Sequence, residues 1–228
     1  MAKKKNEILP VALVAATDNF STTTEQYRTI RTNISFSSAD REIKTLVVTS
    51  SGPSEGKSTS SANLAVVFAS AGSKVLLVDA DLRKPSVAIS FRLPNATGLS
   101  NLLTNREATI DRYYQPGPVD NLFIMTSGPK PPNPSELLGS QRMLDIMAVM
   151  REEFDVIIFD MPPVVTVTDA QILAAHTDGT LLVVRERKTK KQDVVKAKEL
   201  LKLAKANILG VVYNGKKKGD SAGYYYYG

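Results

Sequence analysis

The residues Ser51-Gly-Pro-Ser-Glu-Gly-Lys-Ser-Thr59 carry the chemistry most plainly written in this chain. They follow a strand-like apolar run and open a stretch of helical period, the setting in which a glycine-bearing loop grips phosphate. Successive backbone N–H groups and the positive end of the helix would hold the anion, Lys57 would reach the outer phosphates, and the Ser58 hydroxyl would coordinate a metal ion. Gly52, Pro53, Ser54, Glu55, Gly56, Lys57, Ser58 and Thr59 are therefore the candidate nucleotide-binding residues, with ATP and Mg2+ as the expected cofactors. The strict pattern asks for glycine at Ser51; here Gly52 comes one place later.

Two further strand-like runs end in carboxylates. Val75–Val78 is followed by Asp79 and Asp81, and Val156–Phe159 by Asp160. At the carboxyl ends of neighbouring strands in an open α/β sheet, such groups converge on one crevice beside the phosphate loop. Three carboxylates facing polyphosphate are costly unless a cation sits among them, which again calls for magnesium. Any one of these aspartates alone could equally cap the helix after it. Together with Lys57, the set Asp79, Asp81 and Asp160 reads as a catalytic group.

Positioning these residues requires buried parallel strands with helices between them. Apolar runs of strand length do alternate with longer segments of helical period. Strands are expected at Lys44–Thr49, Val75–Val78, Leu122–Met125, Val156–Phe159, Thr180–Val184 and Ile208–Tyr213. Helices are expected over Lys57–Ala71, Pro134–Glu153, Asp169–His176 and Lys191–Lys205, with one more at Thr22–Ser38 ahead of the sheet. Asn133 as cap, Pro134 at the first helical position and Glu136 returning the hydrogen bond mark one helix start. The implied fold class is α/β: a doubly wound, mostly parallel sheet flanked by helices, as in P-loop NTPases, with a flexible C-terminal tail. The domain plan is an N-terminal segment over 1–40, the phosphate-loop domain over 41–214, and a tyrosine-rich tail over 215–228.

Composition narrows the chemistry. A chain of 228 residues with 43% hydrophobic and 23% charged residues can bury a core and is too apolar to stay disordered. No run reaches the roughly 18 apolar residues of a membrane span, and Met1-Ala-Lys-Lys-Lys lacks the apolar core of a signal peptide, so a cytoplasmic protein is expected. Zero cysteines remove disulfides, thiolate metal sites, iron–sulfur ligation and cysteine nucleophiles. The net charge of +6 is uneven, because 12 Lys/Arg against 4 Asp/Glu lie from Arg185 onward. Lys190–Lys205 fits either a solvated helix face or an anionic partner. No recognised nucleic-acid module is present, and no nucleic-acid partner is expected.

The combination of motifs resembles the bacterial tyrosine kinases (BY-kinases) of capsule and exopolysaccharide loci. It extends over Glu25-Gln-Tyr-Arg28-Thr-Ile-Arg31, Gly52–Thr59, Val78-Asp-Ala-Asp-Leu-Arg-Lys-Pro85, Pro132-Asn-Pro-Ser-Glu-Leu-Leu138, Phe159-Asp-Met-Pro-Pro163 and the terminal tyrosines. The resemblance implies that Ser58 and Asp81 hold the metal, that Asp160 supports it through water, and that Asp79 accepts the tyrosine proton, with the choice of base among the aspartates left open. Asn214 matches the adenine-contacting asparagine of related ATPases, or ends its strand in a turn. Glu25, Arg28 and Arg31 match an oligomerisation motif; spacing alone gives a solvated helix face.

Four of the 8 tyrosines, Tyr224, Tyr225, Tyr226 and Tyr227, are consecutive and cannot pack on one face, so they read as phosphoacceptors. The tail spans at most about 46–50 Å, enough to reach a neighbouring copy's site in a homo-oligomeric ring. The resemblance further implies a membrane activator of the polysaccharide chain-length regulator type, a cognate tyrosine phosphatase, and a location at the inner face of the membrane through that partner. The rival reading is a positioning or partitioning ATPase without kinase activity. Its hallmark is a lysine at the second loop position, which here is Gly52.

Overall fold

The computed structural model describes residues 10–37 and 42–215; the acceptor candidates Tyr224–Tyr227 lie outside them, as does all of the expected tail beyond Gly215. Seven strands, β1 (Thr45–Ser50), β2 (Val75–Asp79), β3 (Gln115–Pro116), β4 (Leu122–Met125), β5 (Val156–Asp160), β6 (Gly179–Arg185) and β7 (Ile208–Asn214), form one sheet. Their order is β3-β4-β2-β5-β1-β6-β7, all parallel except β3 against β4. The six long strands are those the apolar runs mark. β3 escapes the pattern because a two-residue strand holds no period.

β1, β2 and β5 are buried along their whole length, which is why they read as unbroken apolar runs. Alternation within them sorts two cores. Val47, Leu76, Val78, Ile157 and Phe159 face one layer, and Leu46, Val48, Val75, Leu77 and Ile158 the other. The second layer is built by α1 (Val14–Thr17), α2 (Thr22–Phe36) and α3 (Lys57–Ala69), with Val87 of α4 (Val87–Phe91). The first layer takes Leu99 and Leu102 of α5 (Leu99–Thr104), Leu138 of α6 (Pro134–Leu138), Met143 and Met150 of α7 (Gln141–Glu153), Leu173 of α8 (Asp169–Ala174) and Leu201 of α9 (Lys191–Leu203).

α3 is buried all round from Ser60 to Ala69, between the sheet and the N-terminal segment. Asn63 ties that segment down, accepting from the Ala15 N–H at 2.8 Å and donating to the Ala12 carbonyl at 2.8 Å. Arg31 of α2 donates to the Val67 carbonyl at 2.9 Å, satisfying a group in the last turn of α3 that has no partner within the helix.

The expected single helix over Pro134–Glu153 is two helices. Ser140 divides them: its hydroxyl donates to the Leu137 carbonyl at 2.7 Å and accepts from the Met143 N–H at 3.2 Å, so it ends α6 and caps α7. Pro134 does take the first turn, but Asn133 makes no cap bond to the backbone; its amide donates instead to Glu136 Oε2 at 2.5 Å. Among the described residues no helix is long and apolar enough to cross a membrane.

Candidate active site

Strand register assembles the acidic crevice. β2 and β5 end side by side with Asp79 opposite Asp160, and β1 runs on the other side of β5 with Val48 opposite Asp160. The loop leaving β1 therefore opens over the same strand ends that carry the carboxylates. Gly56 turns it into α3 with φ of 100°, where a Cβ would stand 1.9 Å from Asn214 Nδ2, so only glycine fits. Asn214, at the end of β7, donates to the Glu55 carbonyl at 3.0 Å.

Lys57, the first residue of α3, meets Asp81 Oδ2 at 3.0 Å and Asp160 Oδ1 at 3.6 Å, with side-chain exposures of 12%, 5% and 0% respectively. The Ser61 hydroxyl donates to Asp160 Oδ1 at 3.2 Å, and the Ser58 hydroxyl oxygen accepts from Lys57 Nζ at 3.3 Å. Asp81 Oδ1 accepts from the Lys84 N–H at 3.0 Å. Asp79 is fully buried, and its Oδ2 accepts from the N–H groups of Ser86 and Val87 at 3.0 and 2.9 Å. Lys57, Ser58, Asp79, Asp81 and Asp160 thus converge as expected.

Three acids crowd one ammonium, and their protonation shows it. Burial, reinforced by Asp160, pushes the Asp79 carboxyl up to about 8 against the pull of the Val87 N–H and Lys57. Burial also raises Asp160, opposed by Lys57 and the two serine hydroxyls. For Lys57, burial works against the charge, yet Asp160, Asp81 and Asp79 together hold the ammonium above the usual lysine range. Asp79 Oδ1 and Asp160 Oδ2 are buried with no hydrogen-bond partner among the described residues. Such oxygens fit a crevice built to face a cation and its water.

No group of three or more His, Cys, Asp or Glu forms a metal cage among the described residues.

Two features of the crevice are not legible from the motifs. Arg83 forms a forked pair with Asp169, Nε to Oδ2 at 2.8 Å and Nη2 to Oδ1 at 2.9 Å, and Nη2 also donates to Ser135 Oγ at 2.9 Å. Asp169 opens α8 and is completely buried, so this pair locks the loop after β2 onto α6 and α8. Glu55 is the other: its carboxylate is drawn into the protein by Ser51, Gly52 and Thr189. The Arg83–Asp169 and Glu55–Thr189 contacts each join residues far apart in sequence, so no local spacing signals them.

The α2 residues behave differently. Glu25 and Arg28 pair on the surface, and Arg28 also donates to the Asn19 carbonyl at 2.9 Å. Arg31 is engaged within the chain at Val67.

Comparison with known proteins follows the same lines. A family model of the ParA group, described as NUBPL iron-transfer P-loop NTPase, matches residues 42–218. Tyrosine-protein kinase YwqD of Bacillus subtilis (strain 168) is 46% identical over 228 residues, 100% of this chain and 96% of that protein. The crystal structure of the chimerical protein CapA2B2 superposes with a TM-score of 0.85 at 40% identity, covering 90% of this chain and 91% of its own. The kinase domain of the Escherichia coli tyrosine kinase ETK gives a TM-score of 0.87 at 30% identity, covering 99% and 88%.

Proposed function

This chain belongs to the bacterial tyrosine-protein kinases within the ParA-like P-loop NTPases, and on that premise we propose that it transfers the γ-phosphoryl group of ATP to its own Tyr224–Tyr227 in trans. The observation that carries this reading is the convergence of Lys57, Asp79, Asp81 and Asp160 at the mouth of a phosphate-gripping loop.

The backbone N–H groups of Gly52–Thr59 and the start of α3 bind the phosphates. Lys57 neutralises the outer phosphate oxygens, exchanging its contacts with Asp81 and Asp160 for them. Ser58 and Asp81 would hold magnesium, with Asp160 supporting it through water, and the ion would supply charge neutralisation on the phosphates. Asp79 accepts the proton as the tyrosine oxygen bonds to phosphorus and the bond to the bridging oxygen of ADP breaks. A free tyrosine hydroxyl titrates near pH ~10, and a carboxylate raised toward neutrality is a matched acceptor. Asn214, beside the loop, faces the adenine.

In the wider assembly, Glu25, Arg28 and Arg31 contribute to a ring of copies in which each tail reaches its neighbour. Phosphates added to the tail carry roughly −1.5 to −2 charges each, repel one another and loosen the ring. A membrane activator of the chain-length regulator type brings the kinase to the inner face of the membrane, a phosphatase resets the tail, and the cycle regulates capsule or exopolysaccharide synthesis. The test replaces Tyr224–Tyr227 by Phe in the presence of the activator. Loss of the phosphotyrosine signal with intact ATP binding is expected, and an unaltered blot overturns the tail assignment.

A further inference from the structure

Glu55 presents an electrostatic problem. A carboxylate inside a loop that must hold polyphosphate repels its own ligand unless its charge is turned away and occupied. Here the side chain is folded back, with the residue 4% exposed. It accepts from the Ser51 hydroxyl at 2.9 and 3.1 Å, from the Gly52 N–H at 3.0 Å and from the Thr189 hydroxyl at 2.7 Å.

Thr189 comes from the connection between β6 and α9, and that connection holds the loop at a second point. Arg185 Nη1 and Lys188 Nζ each donate to the Ser54 carbonyl at 3.1 Å, where Ser54 adopts a left-handed φ of 58°. The Thr189 hydroxyl oxygen in turn accepts from the Arg185 N–H at 2.9 Å, which aims its proton at Glu55. Gly52 is part of the same arrangement: a Cβ there would stand 3.3 Å from Glu55 Oε1, tight enough to press on the carboxylate.

We propose that Glu55 and Thr189 form a brace that fixes the shape of the nucleotide loop and keeps the Glu55 charge off the phosphates. They are positioning residues, and the inference rests on reading this loop as the ATP site. A brace of this kind serves bound ATP and the transition state alike. Breaking it therefore weakens nucleotide binding and raises KM, while kcat changes little.

The test uses the full chain, a fluorescent ATP analogue titrated with magnesium present, and a phosphotyrosine assay in parallel. Thr189→Val keeps the side-chain shape and removes the donor; Kd and KM for the nucleotide should each rise about tenfold, with kcat within about threefold of the original. Thr189→Ser restores the hydroxyl and should return both to within about twofold. Glu55→Gln cannot accept from all three donors without turning its own N–H2 toward one of them, and should weaken binding at least as much. Because both changes break one contact, the double variant should be no weaker than Glu55→Gln alone. Unchanged affinity in Thr189→Val, no rescue by Thr189→Ser, or a loss confined to kcat overturns the brace. If Glu55→Gln does not fold, the Thr189 pair decides the matter alone. Failure of the unaltered protein to bind the analogue overturns the ATP-site reading, and the brace with it.

Discussion

Two ion-pair clusters in this molecule look alike on paper and differ in almost every physical respect. Around Lys57, three acids at 0–5% side-chain or residue exposure share one ammonium. On α2, Glu25 and Arg28 pair with side-chain exposures of 61% and 33%. In the crevice, water is excluded, charges interact strongly, and an excess of acid makes the group wait on a cation. On the surface, solvent and salt screen the pair until it contributes next to nothing to folding. The first cluster can therefore act within one chain. The second acquires weight only where another molecule covers it.

Replacing Lys57 by Met gives the largest expected effect. Phosphotyrosine formation should fall by at least ~1000-fold, and urea denaturation should show a loss of about 3–5 kcal/mol as buried carboxylates lose their cation. Asp79→Asn should separate function from folding. The folded carboxyl titrates near 8, well above its unfolded value, so the native state keeps a proton that the unfolded chain releases, and stability falls as pH rises through that window. The amide mimics the protonated form, so thermal and urea melts should show the variant more stable by on the order of 3 kcal/mol at pH 8, with the gap closing near pH 4. Kinase activity should meanwhile drop about 100-fold. A variant no more stable than the original at pH 8 would remove the claim that this acid is buried at a cost.

Arg83→Ala leaves the buried Asp169 without its forked partner, and denaturant titration should register about 3 kcal/mol. The smallest stability change belongs to Glu25→Ala, below about 0.5 kcal/mol. Sedimentation sharpens the contrast there: loss of a ring at unchanged stability assigns the pair to assembly, and an intact ring returns it to the solvated surface.

Much of this architecture could be read before folding because the site lies where two strong signals meet. Buried parallel strands write themselves as apolar runs, and each catalytic candidate sits at the end of such a run. Boundaries were less legible. The Pro134–Glu153 segment keeps helical period through Gly139 and Ser140, and only a hydroxyl that bonds both ways reveals the break. The region of α4 and α5 offers helices too short for a period to register. The contacts of Glu55 with Thr189 and of Asp169 with Arg83 were illegible for a different reason: each joins segments far apart in sequence that the sheet order brings together. A motif states which residue types gather, and topology states which of them touch.

That sheet order also dictates a schedule. β1 carries the nucleotide loop, yet both strands beside it, β5 and β6, lie in the second half of the chain. A nascent chain emerging from the ribosome can pair β2 with β4 early, but β1 must wait for neighbours made much later, and closing such long loops slows folding. The loop that grips phosphate is thus among the last parts to take shape. No truncated product lacking β5 and β6 can present a finished site, so catalytic competence arrives only with a nearly complete chain.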